Sequence, residues 1–71
     1  MDKKRMEFIS LCIETFKIKY KKSGQNVLEL FDDYGVTEFL EEGYDMLHSQ
    51  SIQYTMEEID MYLRNRGYTQ R

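Results

Sequence analysis

The chain has 71 residues, one cysteine, one histidine and no proline, with a net charge of −3 and a pI near 5.0. That length makes one domain, and a domain this small buries only about 60% of its unfolded surface. A single cysteine excludes an internal disulfide, and one Cys with one His falls short of the four ligands of a structural zinc site. Helix packing or a second chain must supply the missing stability.

Charge is unevenly spread. Residues 1–22 carry seven Lys or Arg against Asp2, Glu7 and Glu14, a local +4. Residues 23–63 hold ten Asp or Glu and no Lys or Arg. Arg64, Arg66 and Arg71 close the chain at +3, which returns the total of −3. The segment MDKKRMEFIS has no uninterrupted apolar run of the signal-peptide kind, and no apolar run approaches the roughly 20 residues of a membrane span. An unpaired thiol suits a reducing compartment. These features predict a cytoplasmic protein with no membrane partner.

The spacing predicts a first helix over about 3–20. Met6, Ile9, Cys12, Ile13, Phe16 and Tyr20 fall on one face at 100° per residue. A second stripe, Phe8, Leu11, Thr15 and Ile18, lies on the other side, bounded by Lys4 and Lys22. A helix apolar on two sides is either central in its own bundle or buries its second side in another chain; the plainer reading leaves Phe8, Leu11 and Ile18 partly exposed, as scattered apolar residues often are, or covered by the C-terminal helix. Phe8, Leu11 and Ile18 are candidate partner-binding residues, and a homodimer through this helix is an expectation. Lys17, Lys19, Lys21 and Lys22 cluster in the last turns, where cations complement the helix dipole.

Ser23-Gly24 breaks that helix, with Ser23 as the next N-cap. A second helix is predicted over about 25–33, with Val27, Leu28, Leu30, Phe31 and Tyr34 on one face. Gly35 fits the left-handed position that ends many helices. A third helix is predicted over about 37–48, capped by Thr37, with Phe39, Leu40, Gly43, Tyr44 and Leu47 inward. Gly43 in mid-helix costs up to ~1 kcal/mol relative to alanine, which points to close approach of another backbone such as helix one. Glu38, Glu41, Glu42 and Asp45 occupy the opposite face with no cation beside them in sequence.

Ser49-Gln50-Ser51 reads as loop, and Ile52-Gln53-Tyr54 alternates like an extended connector. Thr55-Met56-Glu57-Glu58 matches the capping box, so a fourth helix is predicted over about 56–66, with Met56, Ile59, Tyr62 and Leu63 inward and Gly67 after it. The expected architecture is all-α, a compact bundle of about four short helices in a single domain over 3–67, followed by a frayed tail over 68–71.

Chemistry is sparse. Cys12 lies on the main apolar face of helix one and reads as a buried structural thiol. Glu41, Asp45 and His48 are spaced i, i+4, i+7, which can place carboxylates and imidazole around a divalent cation; the simpler reading has His48 at a helix end bonding a backbone carbonyl. Pairs such as Asp32-Asp33 and Glu41-Glu42 fall on predicted solvent faces, without the cleft that shifted carboxylates need. No glycine-rich phosphate loop is present. The expectation is a non-enzyme with no catalytic residues, no metal and no cofactor. The basic run Lys17-Ile-Lys-Tyr-Lys-Lys22 is the one feature suited to nucleic acid, but nucleic-acid domains carry a basic stripe and high pI. The uncompensated acidic block from Glu29 to Asp60 is the better lead. It suits a basic protein partner, since complementary potential speeds association and selects the partner.

Val27-x-x-Leu30-Phe31-x-x-Tyr34-Gly35-Val36, Phe39-Leu40, Tyr44-Asp45-x-Leu47-His48 and Ile59-Asp60-x-Tyr62-Leu63 together resemble the pattern of a family of small bacterial proteins, the domain of unknown function numbered 3791. The resemblance runs from about Glu7 to Leu63. It implies genomic company: similar proteins are encoded beside a larger protein that looks like an ADP-ribosyltransferase toxin. It therefore implies an antitoxin or accessory role, with a toxin-like enzyme as partner. The expected partner-binding residues are Glu38, Glu41, Glu42, Asp45, Phe8, Leu11 and Ile18. The alternative is a small DNA-associated regulator using the Lys17–Lys22 cluster.

Overall fold

The first helix, α1, runs Lys3–Tyr20 and opens on a side-chain cap. In the computed structural model, which describes residues 2–68, Asp2 Oδ1 accepts from the Arg5 backbone N–H at 2.9 Å, filling one of the donors a helix start leaves without an internal partner. Ile9, Cys12 and Phe16 are buried on one side of it. Met6, expected on that face, is exposed; it sits at the margin of the stripe, where α1 has no neighbour to cover it. The stop is Lys21, in the left-handed region at φ 54°, two residues before the expected Ser23-Gly24. Lys21 and Lys22 both donate backbone N–H groups to the Lys17 carbonyl, closing the last turn.

Ser23 caps α2 (Gly24–Tyr34), its Oγ accepting from Asn26 N at 3.1 Å. Val27, Leu30 and Phe31 are buried, whereas Leu28, expected on the same face, is exposed. Its 100° step from Val27 carries it past the edge of the core-facing stripe. Gly35 ends α2 at φ 75°. The next helix, α3 (Val36–Glu42), starts at once, with Phe39 N donating to Gly35 O at 3.1 Å. One residue therefore ends one helix and begins another.

The expected single helix over 37–48 is two. Gly43 (φ −91°, ψ 7°) divides α3 from a one-turn α4, Tyr44–Leu47. The closest neighbours of Gly43 are not helix-one backbone. A Cβ there would meet Leu47 Cδ1 at 3.1 Å and the Phe39 carbonyl at 3.2 Å, so the tight neighbours are its own segment. Glycine lets the chain turn between two buried anchors, Leu40 and Leu47.

The last helix, α5, spans Ile52–Asn65, a turn earlier than the capping box implied. Ser51 is the N-cap, its Oγ accepting from Tyr54 N at 3.1 Å. Ile52-Gln53-Tyr54 is the first turn, not an extended connector, and Thr55 is fully buried inside the helix. Both S/T-x-x patterns fit a cap; burial of Thr55 with Met56, Ile59 and Leu63 selects the earlier one. Gly67 (φ 90°) follows the helix, and Tyr68 N reaches back to Leu63 O at 3.0 Å. Tyr68 is half-buried and packs edge-on against Tyr34 at 5.4 Å, so it is part of the fold, not of a frayed tail; residues 69–71 of that expected tail lie outside the described ones.

The core gathers a few residues from each helix: Ile9, Cys12 and Phe16 of α1, Val27, Leu30 and Phe31 of α2, Val36 and Leu40 of α3, Leu47 of α4, and Met56, Ile59 and Leu63 of α5. Phe16 and Phe31 meet edge-to-face at 5.3 Å. The fold is all-α, with no strand among the described residues, and no helix is long and apolar enough to cross a membrane.

Candidate functional site

The acidic ridge expected on one helix face is divided by the turn at Gly43. Glu38 and Glu42 are four residues apart on α3 and exposed, which puts them on one side of that helix. Glu41 is half-buried, and its carbonyl accepts from Arg5 Nε at 3.4 Å. Asp45, on α4, lies 4.0 Å from the Arg5 guanidinium. The ridge is therefore not free of cations: Arg5, forty residues away from Asp45 in sequence, reaches it across the α1–α4 junction. The same guanidinium bonds Asp2 at 2.7 Å and sits 5.0 Å over the Tyr44 ring. No local pattern announces this contact, which exists only because α1 packs beside α3 and α4.

On α2, Glu29, Asp32 and Asp33 are exposed at i, i+3 and i+4 spacing. No ion pair to them, or to Glu38 and Glu42, forms among the described residues. Two short acidic strips thus flank the Gly35 turn, one on α2 and one on α3.

The second stripe of α1 is also thinned. Phe8 is half-buried and meets Tyr44 edge-on at 5.5 Å, so it belongs to the α1–α4 contact. Leu11 and Ile18 stay 52% and 77% exposed. The C-terminal helix does not cover them; α5 meets α1 through Lys19 and Tyr20, which reach Asp60.

The basic cluster is partly spent within the domain. Lys17 Nζ lies 3.2 Å from Glu14, and Lys19 Nζ lies 3.2 Å from Asp60. Burial works to lower the Lys19 pKa, but the hydrogen bond and charge of Asp60 leave it raised. Lys21 and Lys22 have no ion pair among the described residues. Tyr20 donates to Asp60 Oδ2 at 2.6 Å, and burial followed by that carboxylate raises its pKa. The other oxygen, Asp60 Oδ1, is buried with no hydrogen-bond partner among the described residues. This polar junction was not expected from the sequence, where Asp60 reads as the last acid of the uncompensated block from Glu29.

His48 ends α4. Its ring stacks on Tyr44 at 4.3 Å with 6° between planes, and Nδ1 is 2.7 Å from the Tyr44 carbonyl, which can only accept. Its hydrogen bond is thus the backbone one. The turn at Gly43 takes Glu41 off the ridge that would have aligned it with Asp45 and His48, and among the described residues no three His, Cys, Asp or Glu side chains gather to hold a metal ion. Cys12 is fully buried, and burial pushes its thiol up to about 12, far from the thiolate a nucleophile requires.

Compared with known proteins, residues 7–66 match the model of a family described as "Protein of unknown function (DUF3791)". No curated protein and no solved structure matches.

Proposed function

The chain belongs to the DUF3791 family of proteins of unknown function, and from that premise we propose that it is a non-enzymatic helical module that binds a basic surface of a protein partner. The observation that carries this reading is the pair of acidic strips on α2 and α3. Glu29, Asp32, Asp33, Glu38 and Glu42 are exposed without a counter-cation among the described residues, while Asp2, Glu14, Asp45 and Asp60 each have one. Same-sign charge left unpaired opposes compaction, and a cationic partner relieves that repulsion while gaining a faster, selective encounter. Within this reading the partner is a toxin-like enzyme of the ADP-ribosyltransferase kind, with this chain as its antitoxin or accessory, acting in the cytoplasm.

The test is direct mixing of this chain with an ADP-ribosyltransferase-like protein encoded beside it. The expected result is a complex that weakens with salt and loses about tenfold or more in affinity when Glu38→Lys and Glu42→Lys are combined. Absence of a complex at low salt removes the toxin partner; a complex indifferent to both reversals removes the acidic strips. The DNA-regulator reading has less behind it, because Lys17 and Lys19 already have carboxylate partners. A low-salt anisotropy titration with duplex DNA, flat to tens of micromolar, would end it.

A further inference from the structure

We propose that the outer face of α1 is a self-association surface, on which a second copy of this chain docks antiparallel across a two-fold axis. The inference concerns a different face from the acidic strips and stands whether or not they bind a partner.

Leu11 and Ile18 are seven residues apart, two helical turns and about 10 Å along one side of α1. They are 52% and 77% exposed. Thr15 lies between them, and its Oγ1 donates to the Leu11 carbonyl at 2.8 Å. That bond satisfies the hydroxyl within the helix, so covering Thr15 strands no donor. The stripe Leu11-Thr15-Ile18 therefore has the i, i+4, i+7 spacing of a helix-pairing seam and loses little on being covered.

The flanking charges select the second copy and its direction. On one side of the seam lie Glu7 and Glu14, seven apart, and Lys21, the left-handed residue that caps the end of α1, follows seven positions on. Glu14 is already paired with Lys17 of its own helix at 3.2 Å. Glu7 and Lys21 have no ion pair among the described residues. Setting Leu11 against Ile18 of an antiparallel second copy brings Glu7 opposite Lys21, and two-fold symmetry repeats both pairings. In that alignment same-side positions face one another: Glu7 and Lys21 pair at both ends, and Glu14 meets Glu14 of the second copy at the axis, each already neutralised by its own Lys17 at 3.2 Å. Lys3 and Lys4 fall beyond the end of the second α1. A parallel pairing instead puts the two copies of Glu7, and the two copies of Lys21, on opposite edges of the seam, and forms neither Glu7–Lys21 pairing. One seam of this length buries less than a standard interface, so the dimer is a weak one.

Sedimentation equilibrium of the full chain tests it. The expected result is a reversible monomer–dimer equilibrium in the range of roughly 10–100 μM; a monomer at every concentration up to about 1 mM overturns the proposal. Leu11→Glu and Ile18→Lys each abolish the dimer while helical circular dichroism is unchanged, and two exposed sites guard against one variant failing to fold. Glu7→Lys alone dissociates the dimer, and Glu7→Lys with Lys21→Glu restores it. A dimer that survives Leu11→Glu and Ile18→Lys overturns the face, and a charge swap that fails to restore association overturns the antiparallel pairing.

Discussion

Tyr20 donates its phenolic hydrogen to Asp60 Oδ2 at 2.6 Å, which ties the last turn of α1 to the middle of α5. The bond matters more than its length suggests, because Asp60 Oδ1 has no partner among the described residues. Tyr20→Phe leaves the carboxylate with only Lys19, itself 41% exposed and so worth little. The expected loss is about 1–3 kcal/mol of unfolding free energy, from one hydrogen bond and a poorly satisfied, half-buried acid. Urea denaturation checks it; an unchanged midpoint means water serves Asp60 as well as Tyr20 does.

Alkaline pH acts on three groups in the same direction. Cys12, Tyr20 and Lys19 all have raised values in the fold, so the folded state holds protons that the unfolded chain releases. Their stabilisation is complete below the unfolded values and disappears as pH rises through the folded ones. Cys12 begins this loss near its ordinary 9.0 and completes it at about 12, with a slope of up to ~1.4 kcal/mol per pH unit. Tyr20 and Lys19 join above 10.0 and 10.5. Urea midpoints should fall from pH 9 upward, and the thiol should stay closed to a thiol reagent in native buffer. Rapid labelling at neutral pH contradicts its burial.

Lys21 and Gly35 occupy the same left-handed region with different side chains. A residue with a Cβ is disfavoured there by ~1–2 kcal/mol. Lys21→Gly relieves that strain but adds freedom to the unfolded chain, so a net gain of up to about 1 kcal/mol is expected. Gly35→Ala imposes the same strain and should cost about 1–2 kcal/mol. Thermal melts of the two variants should move in opposite directions.

Ser51 and Thr55 compete in sequence for the cap of α5, and the structure assigns it to Ser51. Ser51→Ala should lose about 1 kcal/mol. Thr55→Val keeps the buried shape and gives up only a 3.4 Å bond to the Ser51 carbonyl, so it should lose less. The reverse order in chemical denaturation would restore the later start.

Much of the architecture was legible because it rests on local chemistry. Ser23 and Gly35 act where short polar and Cβ-free residues must act. The buried rows of α1 and α5 follow helical period, and Gly67 closes α5 as expected. What was not legible concerns neighbours. Met6 and Leu28 satisfy the period yet stay exposed, because periodicity gives a face and not its width. Thr55 satisfies a cap pattern yet is core. Arg5 finds Asp45 and Tyr44, and Asp60 finds Tyr20, only after α1 is laid against the later helices.

The candidate site divides the same way. That residues 23–63 carry acid without base is a fact of the sequence, and no folding alters it. Which of those acids remain unpaired was decided in three dimensions: Gly43 turns the chain between Glu42 and Asp45, and Arg5 takes the Asp45 side. Glu38, Glu42 and the α2 acids are left without an ion pair among the described residues, and Phe8 leaves the α1 stripe to Leu11 and Ile18. By itself the sequence determined helix, compactness and charge, since these depend on each residue's own propensity and ionisation. Pairing and exposure depend on distances between helices, and only packing sets those.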